Sequence, residues 1–382
     1  MITSLHADNY RCFVNFDWQP SRLAVLAGNN GGGKSTIGLL LIALRDFIAG
    51  DGSTEELFPA NDLTVWETRS DQLIEFNYVL GDLEFTYRLE IEHSRSRREN
   101  RVTHEGLNCN GKTLFSSDLG EAQLFRDDGS EGPKITLDWN RSGLATLAQR
   151  DSDDNRLLKR FVAEFSKTLV IRPVPAMMSR YATGFAKLPD RDVTNFVAWL
   201  RSLNETDPSA FAAYHTRLTE AIPGYQKLQF ASGADDAMRS LLLTFAEDRD
   251  DGMGRTRTGL PFDSWLSDGQ KQIFAIYAAI GFADQHPVVF LDEPQAYLSL
   301  YELSAWTGAL IDASDRMQCL VATHNRSLID FLGPEHGHYV YREPLGPSRV
   351  SRKLFADESE LTPGEQLATQ WIARSQLEGA DG

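Results

Sequence analysis

The chain has 382 residues, 42% hydrophobic and 24% charged, the balance of an ordinary globular protein rather than a disordered one. A formal charge of −16 offers a polyanion no long-range attraction, so any DNA contact would need a local basic patch. The longest apolar run, around Ile273–Ala283, is too short for a membrane span. No charged-then-apolar leader opens the chain, and Cys12, Cys109 and Cys319 fit neither a disulfide ladder nor a zinc pattern, so a cytoplasmic location and no membrane partner are expected.

The opening segment alternates apolar and polar residues, and Leu23–Ala27 reads as a short buried strand. A glycine-rich turn, Gly28–Gly33, leads into an apolar helix from Lys34 to about Ile48. Leu73–Leu80 and Leu83–Ile91 alternate on either side of Gly81-Asp82, a hairpin pattern. Polar sequence with scattered short strands runs on to about Gln149, and Thr168–Arg172 reads as another buried strand. From about Asp190 to Glu247 the period becomes helical, with Asp207-Pro208 as a helix start. The charged, glycine-rich stretch Asp248–Gly259 reads as a mobile loop. The remainder alternates strands (Val288–Leu291, Cys319–Ala322) with helices (Leu303–Ile311, Ser327–Leu332), the rhythm of parallel β/α architecture.

Two motifs carry chemistry. Gly28-Asn29-Asn30-Gly31-Gly32-Gly33-Lys34-Ser35 fits G-x-x-x-x-G-K-[ST] between a strand and a helix. Glycines let successive backbone N–H groups turn toward phosphate oxygens, Lys34 supplies a cation, Ser35 a hydroxyl for Mg²⁺, and the helix its positive end. Val288–Leu291 is an apolar strand ending in Asp292-Glu293-Pro294. Asp292 is suited to hold Mg²⁺ and Glu293 to act as general base on a water.

Leu266-Ser267-Asp268-Gly269-Gln270 opens a helix and resembles the L-S-G-G-Q signature of ABC ATPases. Phosphate loop, signature and acidic strand end occur in the ABC order, and Thr323-His324-Asn325 follows the next strand, where that family carries a switch histidine. Asn9-Tyr10-Arg11-Cys12-Phe13 is similar to the start of RecF, SMC and OLD-type AAA/ABC ATPases.

The resemblance implies an α/β ABC-type P-loop nucleotide-binding domain with a parallel core sheet, an antiparallel β subdomain and an inserted helical lobe. Residues 1–174 plus 258–355 would form the nucleotide-binding domain, 175–257 the lobe and 356–382 a helical tail. ATP would be bound by Arg11, Asn29, Asn30, Gly31, Gly33, Lys34, Ser35 and Thr36, with Mg²⁺ on Ser35 and Asp292. Glu293, His324 and Lys34 would be catalytic, while Ser267, Gly269 and Gln270 would act across a head-to-tail homodimer. Two roles follow for such an ATPase: a switch for a partner effector, as in bacterial antiphage defence, or a RecF-like clamp on DNA.

Some features stand outside the pattern. Tyr297-Leu298-Ser299-Leu300 replaces the His-Leu-His-Pro of many relatives, and the lid-loop glutamine is either Gln72 or Gln149. The arginines at 95, 97, 98 and 101 read as a solvated loop tip or a DNA contact. His336-x-His338 reads as a surface loop, Asp248, Asp250 and Asp251 as a charged loop, and Trp199 and Trp306 as core.

Overall fold

The computed structural model describes residues 1–94, 99–150, 155–232, 238–247, 255–342, 346–351 and 361–369. The chain divides into two compact units, Met1–Thr168 with Ala322–Gly382, and Leu169–Val321.

The first unit opens with β1 (Ile2–Asp8), β2 (Phe16–Trp18), β3 (Leu23–Ala27), α1 (Lys34–Ala49) and the short α2 (Thr54–Leu57). Six strands follow: β4 (Asp71–Leu80), β5 (Leu83–Ser94), β6 (Glu99–Cys109), β7 (Lys112–Asp118), β8 (Glu121–Phe125) and β9 (Glu131–Thr136). Helices α3 (Gly143–Ala148) and α4 (Arg156–Phe165) complete this run. All but β3 form one eight-stranded antiparallel sheet in the order β2-β1-β4-β5-β6-β7-β8-β9. The expected hairpin is present, with Leu80 opposite Leu83 and Gly81 at φ +62°.

Alternation explains the sheet's core. Phe76, Tyr78, Phe85 and Tyr87 all point to one face, and α4 repeats Leu158, Phe161, Val162 and Phe165 at helical spacing against them. The rings of Phe76 and Phe165 lie 4.7 Å apart, and those of Phe85 and Phe161 5.2 Å. The stretch after residue 92 is more regular than its polar composition implied, because each added strand satisfies the open edge of the one before it.

The second unit runs through β10 (Leu169–Ile171), the two-residue β11 (Tyr181–Ala182), α5 (Phe196–Thr206) and α6 (Pro208–Ala221). It continues with β12 (Tyr225–Ser232), β13 (Arg239–Glu247), β14 (Arg255–Pro261), α7 (Phe262–Trp265), α8 (Asp268–Gly281), β15 (Val288–Asp292) and α9 (Leu300–Ser314). Asp207 caps α6 by accepting from the Ala210 amide at 2.8 Å, as Asp207-Pro208 predicted. The helical period does not extend to Glu247, however. After α6 the chain forms β12 and β13, where Leu241, Leu243 and Phe245 bury one face at a period of two. The expected loop Asp248–Gly259 likewise gives way to β14 from Arg255 onward, and Asp248, Asp250 and Asp251 lie outside the described residues. Parallel pairing sets β10 beside β15, with Ile171 level with Leu291.

Strand β16 (Gln318–Thr323) carries the chain back to the first unit, where α10 (Arg326–His336), β17 (Gly337–Arg342) and β18 (Ser348–Ser351) follow. β17 pairs parallel with β3 and antiparallel with β18. His338 is not on a surface loop: it is buried inside β17 and hydrogen-bonded to the Trp18 indole. Trp199 and Trp306 are core residues. Of the expected helical tail, residues 363–369 are helical and the remainder of 356–382, apart from Leu361 and Thr362, lies outside the described residues. No described helix is long and apolar enough to cross a membrane.

Candidate functional site

The phosphate loop belongs to the first unit. β3 is buried along its whole length, and at its end Gly28 turns with φ +151°. A β-carbon on Gly28 would lie 2.0 Å from the Val340 carbonyl oxygen of β17, and one on Gly32 2.8 Å from the same atom. Gly33, the N-cap of α1 at φ +105°, would meet Ser348 Oγ at 2.8 Å and Cys12 Sγ at 2.9 Å. These glycines are therefore required on the back of the loop as well as on its phosphate side. Asn29, Asn30 and Gly31 are exposed at the tip, and Lys34, although buried, turns its ammonium to the Gly28 and Asn29 carbonyls at 2.7 and 3.0 Å. Ser35 and Thr36 are half-buried in the first turn, and Thr36 Oγ1 is 3.6 Å from Cys12 Sγ.

Arg11 is held in the same unit by a residue that periodicity did not mark. Its guanidinium bridges both carboxylate oxygens of Asp62, at 3.0 and 3.2 Å. Burial raises the pKa of Asp62, and Arg11 partly offsets this. The loop before it hangs on Asn9, fully buried, which donates to Arg69 and Asp71 carbonyls and accepts from the Thr64 amide. Gln72 donates to the Asn9 carbonyl from the core of β4, whereas Gln149 is exposed at the end of α3. His324 is exposed where β16 ends, one residue before the Asn325 cap of α10. Arg101 pairs with Glu92 and lies over Trp139, and the arginines at 95, 97 and 98 lie outside the described residues.

The acidic strand end and the signature belong to the second unit. Asp292 is 2% exposed at the end of β15, where Arg191 reaches it at 2.9 Å. Glu293 has a left-handed backbone, φ +54°, a conformation that costs a non-glycine residue about 1–3 kcal/mol and persists only where surroundings enforce it. Its carboxylate accepts from the Gln295 amide. Behind it the Pro294 carbonyl accepts from Gln272, a fully buried side chain of α8, at 3.0 Å. Helix α8 begins with a capping box: Ser267 Oγ accepts from the Gln270 amide at 3.2 Å, and Gln270 Oε1 from the Ser267 amide at 3.0 Å. Gly269 allows the Tyr297 carbonyl to approach, since a β-carbon there would stand 2.7 Å from that oxygen. The signature and the strand end are thus tied through Gln272–Pro294 and Gly269–Tyr297.

In the first unit, the glycine loop leaves a cradle suited to phosphate that any β-carbon at Gly28 would spoil, and Ser35 offers a hydroxyl; in the second, Asp292 offers a carboxylate, both hard oxygen donors of the kind Mg²⁺ takes. Among the described residues, no cluster of three histidine, cysteine or acidic side chains forms another metal centre.

Residues 23–330 match the family model described as "AAA domain, putative AbiEii toxin, Type IV TA system". The chain belongs to this family. No curated protein matches it in sequence. In fold it is similar to an SMC head bound to the C-terminal winged-helix domain of ScpA, with 13% identity, TM-score 0.56, and 92% of this chain and 97% of that one covered. The SMC head domain from Thermotoga maritima also aligns, with 14% identity, TM-score 0.45, and 92% and 98% of the two chains covered. The likeness to the ScpA-bound SMC head makes the fold an α/β ABC-type ATPase fold of the SMC-head kind.

Proposed function

We propose that the protein hydrolyses Mg·ATP and uses the cycle to switch a protein partner. The observation that carries the ATPase reading is the phosphate loop, where tertiary contacts exclude a β-carbon at Gly28 and Gly32 and Lys34 sits among the loop carbonyls. With a nucleotide bound, Lys34 exchanges those carbonyls for phosphate oxygens, while amides of the loop and the first turn of α1 donate to them. Asn29, Asn30, Gly31, Gly33 and Thr36 line the path of the phosphates, and Arg11, steadied by Asp62, lies on the nucleotide's flank. Mg²⁺ held by Ser35 and Asp292 would offset charge on the β- and γ-phosphates. Glu293, oriented by Gln295, takes a proton from the attacking water, and His324 senses the γ-phosphate.

Ser267, Gly269 and Gln270 are proposed to face the γ-phosphate held by a second copy, in a head-to-tail homodimer. The exposed N-terminus of α8 supports this, because its amides favour an anion. The family description, which names a toxin–antitoxin setting, supports a protein effector of the kind met in antiphage defence. A RecF-like DNA clamp is the lesser reading, since Arg101 of the basic run is already paired with Glu92. Steady-state ATP turnover with Mg²⁺, repeated with duplex DNA over a range of salt, tests both. Magnesium-dependent turnover indifferent to DNA is expected. Strong, salt-sensitive stimulation would favour the clamp, and no turnover under any condition would sink the hydrolase reading.

A further inference from the structure

Arg191 is placed with more care than a surface arginine needs. Its carbonyl accepts from the Arg172 amide at 2.7 Å, and the Asp192 carbonyl from the Val174 amide at 3.0 Å. This segment therefore extends alongside the residues that follow β10. Because β10 runs parallel to β15 with Ile171 level with Leu291, Arg191 comes level with Asp292. The turn that delivers it is braced on itself. Asp190 accepts from the Thr194 amide at 2.7 Å and also binds the Thr194 hydroxyl, while the Asp190 amide donates to Asn195 Oδ1 at 3.0 Å. Val193 is held at φ +60°, a conformation rare for a β-branched residue. Such strain survives where neighbouring contacts over-determine it.

The outcome is a guanidinium 2.9 Å from the carboxylate of a buried aspartate, Arg191 itself being 30% exposed. We propose that Arg191 is a placeholder for the metal: its guanidinium occupies the Asp292 carboxylate before Mg·ATP arrives and is then displaced by it. The idea rests on the reading of Asp292 as the Mg²⁺ ligand. A buried carboxylate is costly without a nearby cation or hydrogen-bond donors, so one cation is exchanged for another at the same carboxylate. The cost is a competitor at the metal site, which raises the Mg²⁺ concentration at which the nucleotide is gripped.

The test uses the full chain carrying Glu293→Gln, so that little nucleotide is consumed during the titration. The Mg²⁺ concentration giving half-maximal binding of a fluorescent ATP analogue is measured with and without Arg191→Gln. Removing a charge-assisted contact of this kind is expected to lower that concentration about tenfold, and Arg191→Lys to lower it less. A purely structural arginine would do the reverse, because a disordered Asp292 needs more metal. A midpoint unchanged or raised in both variants overturns the proposal. Asp292→Asn separates the two claims. If it raises the Mg²⁺ requirement while the Arg191 variants do nothing, only the role of Arg191 fails. If Asp292→Asn leaves the Mg²⁺ requirement unchanged, the metal reading fails and takes this proposal with it.

Discussion

The phosphate loop and the acidic strand end are both short motifs at the ends of buried strands, yet they are built differently. In the loop, Lys34 donates to carbonyls five and six residues away, within the same short segment. At the strand end, Asp292 is met by an arginine 101 positions earlier, Glu293 by Gln295, and Pro294 by Gln272 of the signature helix. An anion site can be made from backbone amides, which every residue carries. A buried carboxylate needs donors or a cation of its own, and at Asp292 a cation is brought from a distant part of the chain.

That contrast is open to measurement. Glu293→Gln should leave the fold and ATP binding in place while lowering turnover roughly 10²–10⁴-fold, and should accumulate nucleotide-bound dimers by light scattering. Wild-type turnover in that variant would remove Glu293 from the role of base. Gly28→Ala attacks the loop from behind: the new β-carbon meets the Val340 carbonyl, so the loop must move. A loss of ATP affinity of about tenfold or more is expected from roughly 1–3 kcal/mol of strain, and unaltered affinity in an equilibrium titration would show that the loop tolerates the shift. Ser267→Arg should spare nucleotide binding by the monomer and abolish ATP-driven dimers. Normal dimers by sedimentation would break the composite-site model. The smallest effect belongs to Gln270→Ala, which deletes half of the α8 capping box and should cost about 1 kcal/mol in chemical denaturation.

Some elements were legible because their signals are local. The β4–β5 hairpin came from strict alternation around Gly81-Asp82, and α6 from Asp207-Pro208. The misreading of residues 222–247 has a physical cause. The run Leu241-Leu242-Leu243 in β13 blurs the alternation, half of β12 is exposed, and a period of two over so short a span is hard to tell from a helical one. His338 looked like a loop residue because histidine is polar, whereas the Trp18 indole supplies its buried partner.

The residues that steady the proposed site were less visible. Asp62, Arg191 and Gln295 belong to no spacing rule, and only Gln295, two residues from Glu293, could have been suspected from proximity in the chain.

By itself the sequence determined the motifs, their order and the strand–loop–helix that frames the glycines, since these depend on backbone geometry and neighbours within a few residues. Tertiary structure alone decided which cation faces Asp292, why Gly28 cannot carry a side chain, and that α8 is bound to the turn after Glu293. Each of these is a contact between segments distant in the chain, made when strands pair and a buried polar group must find a partner.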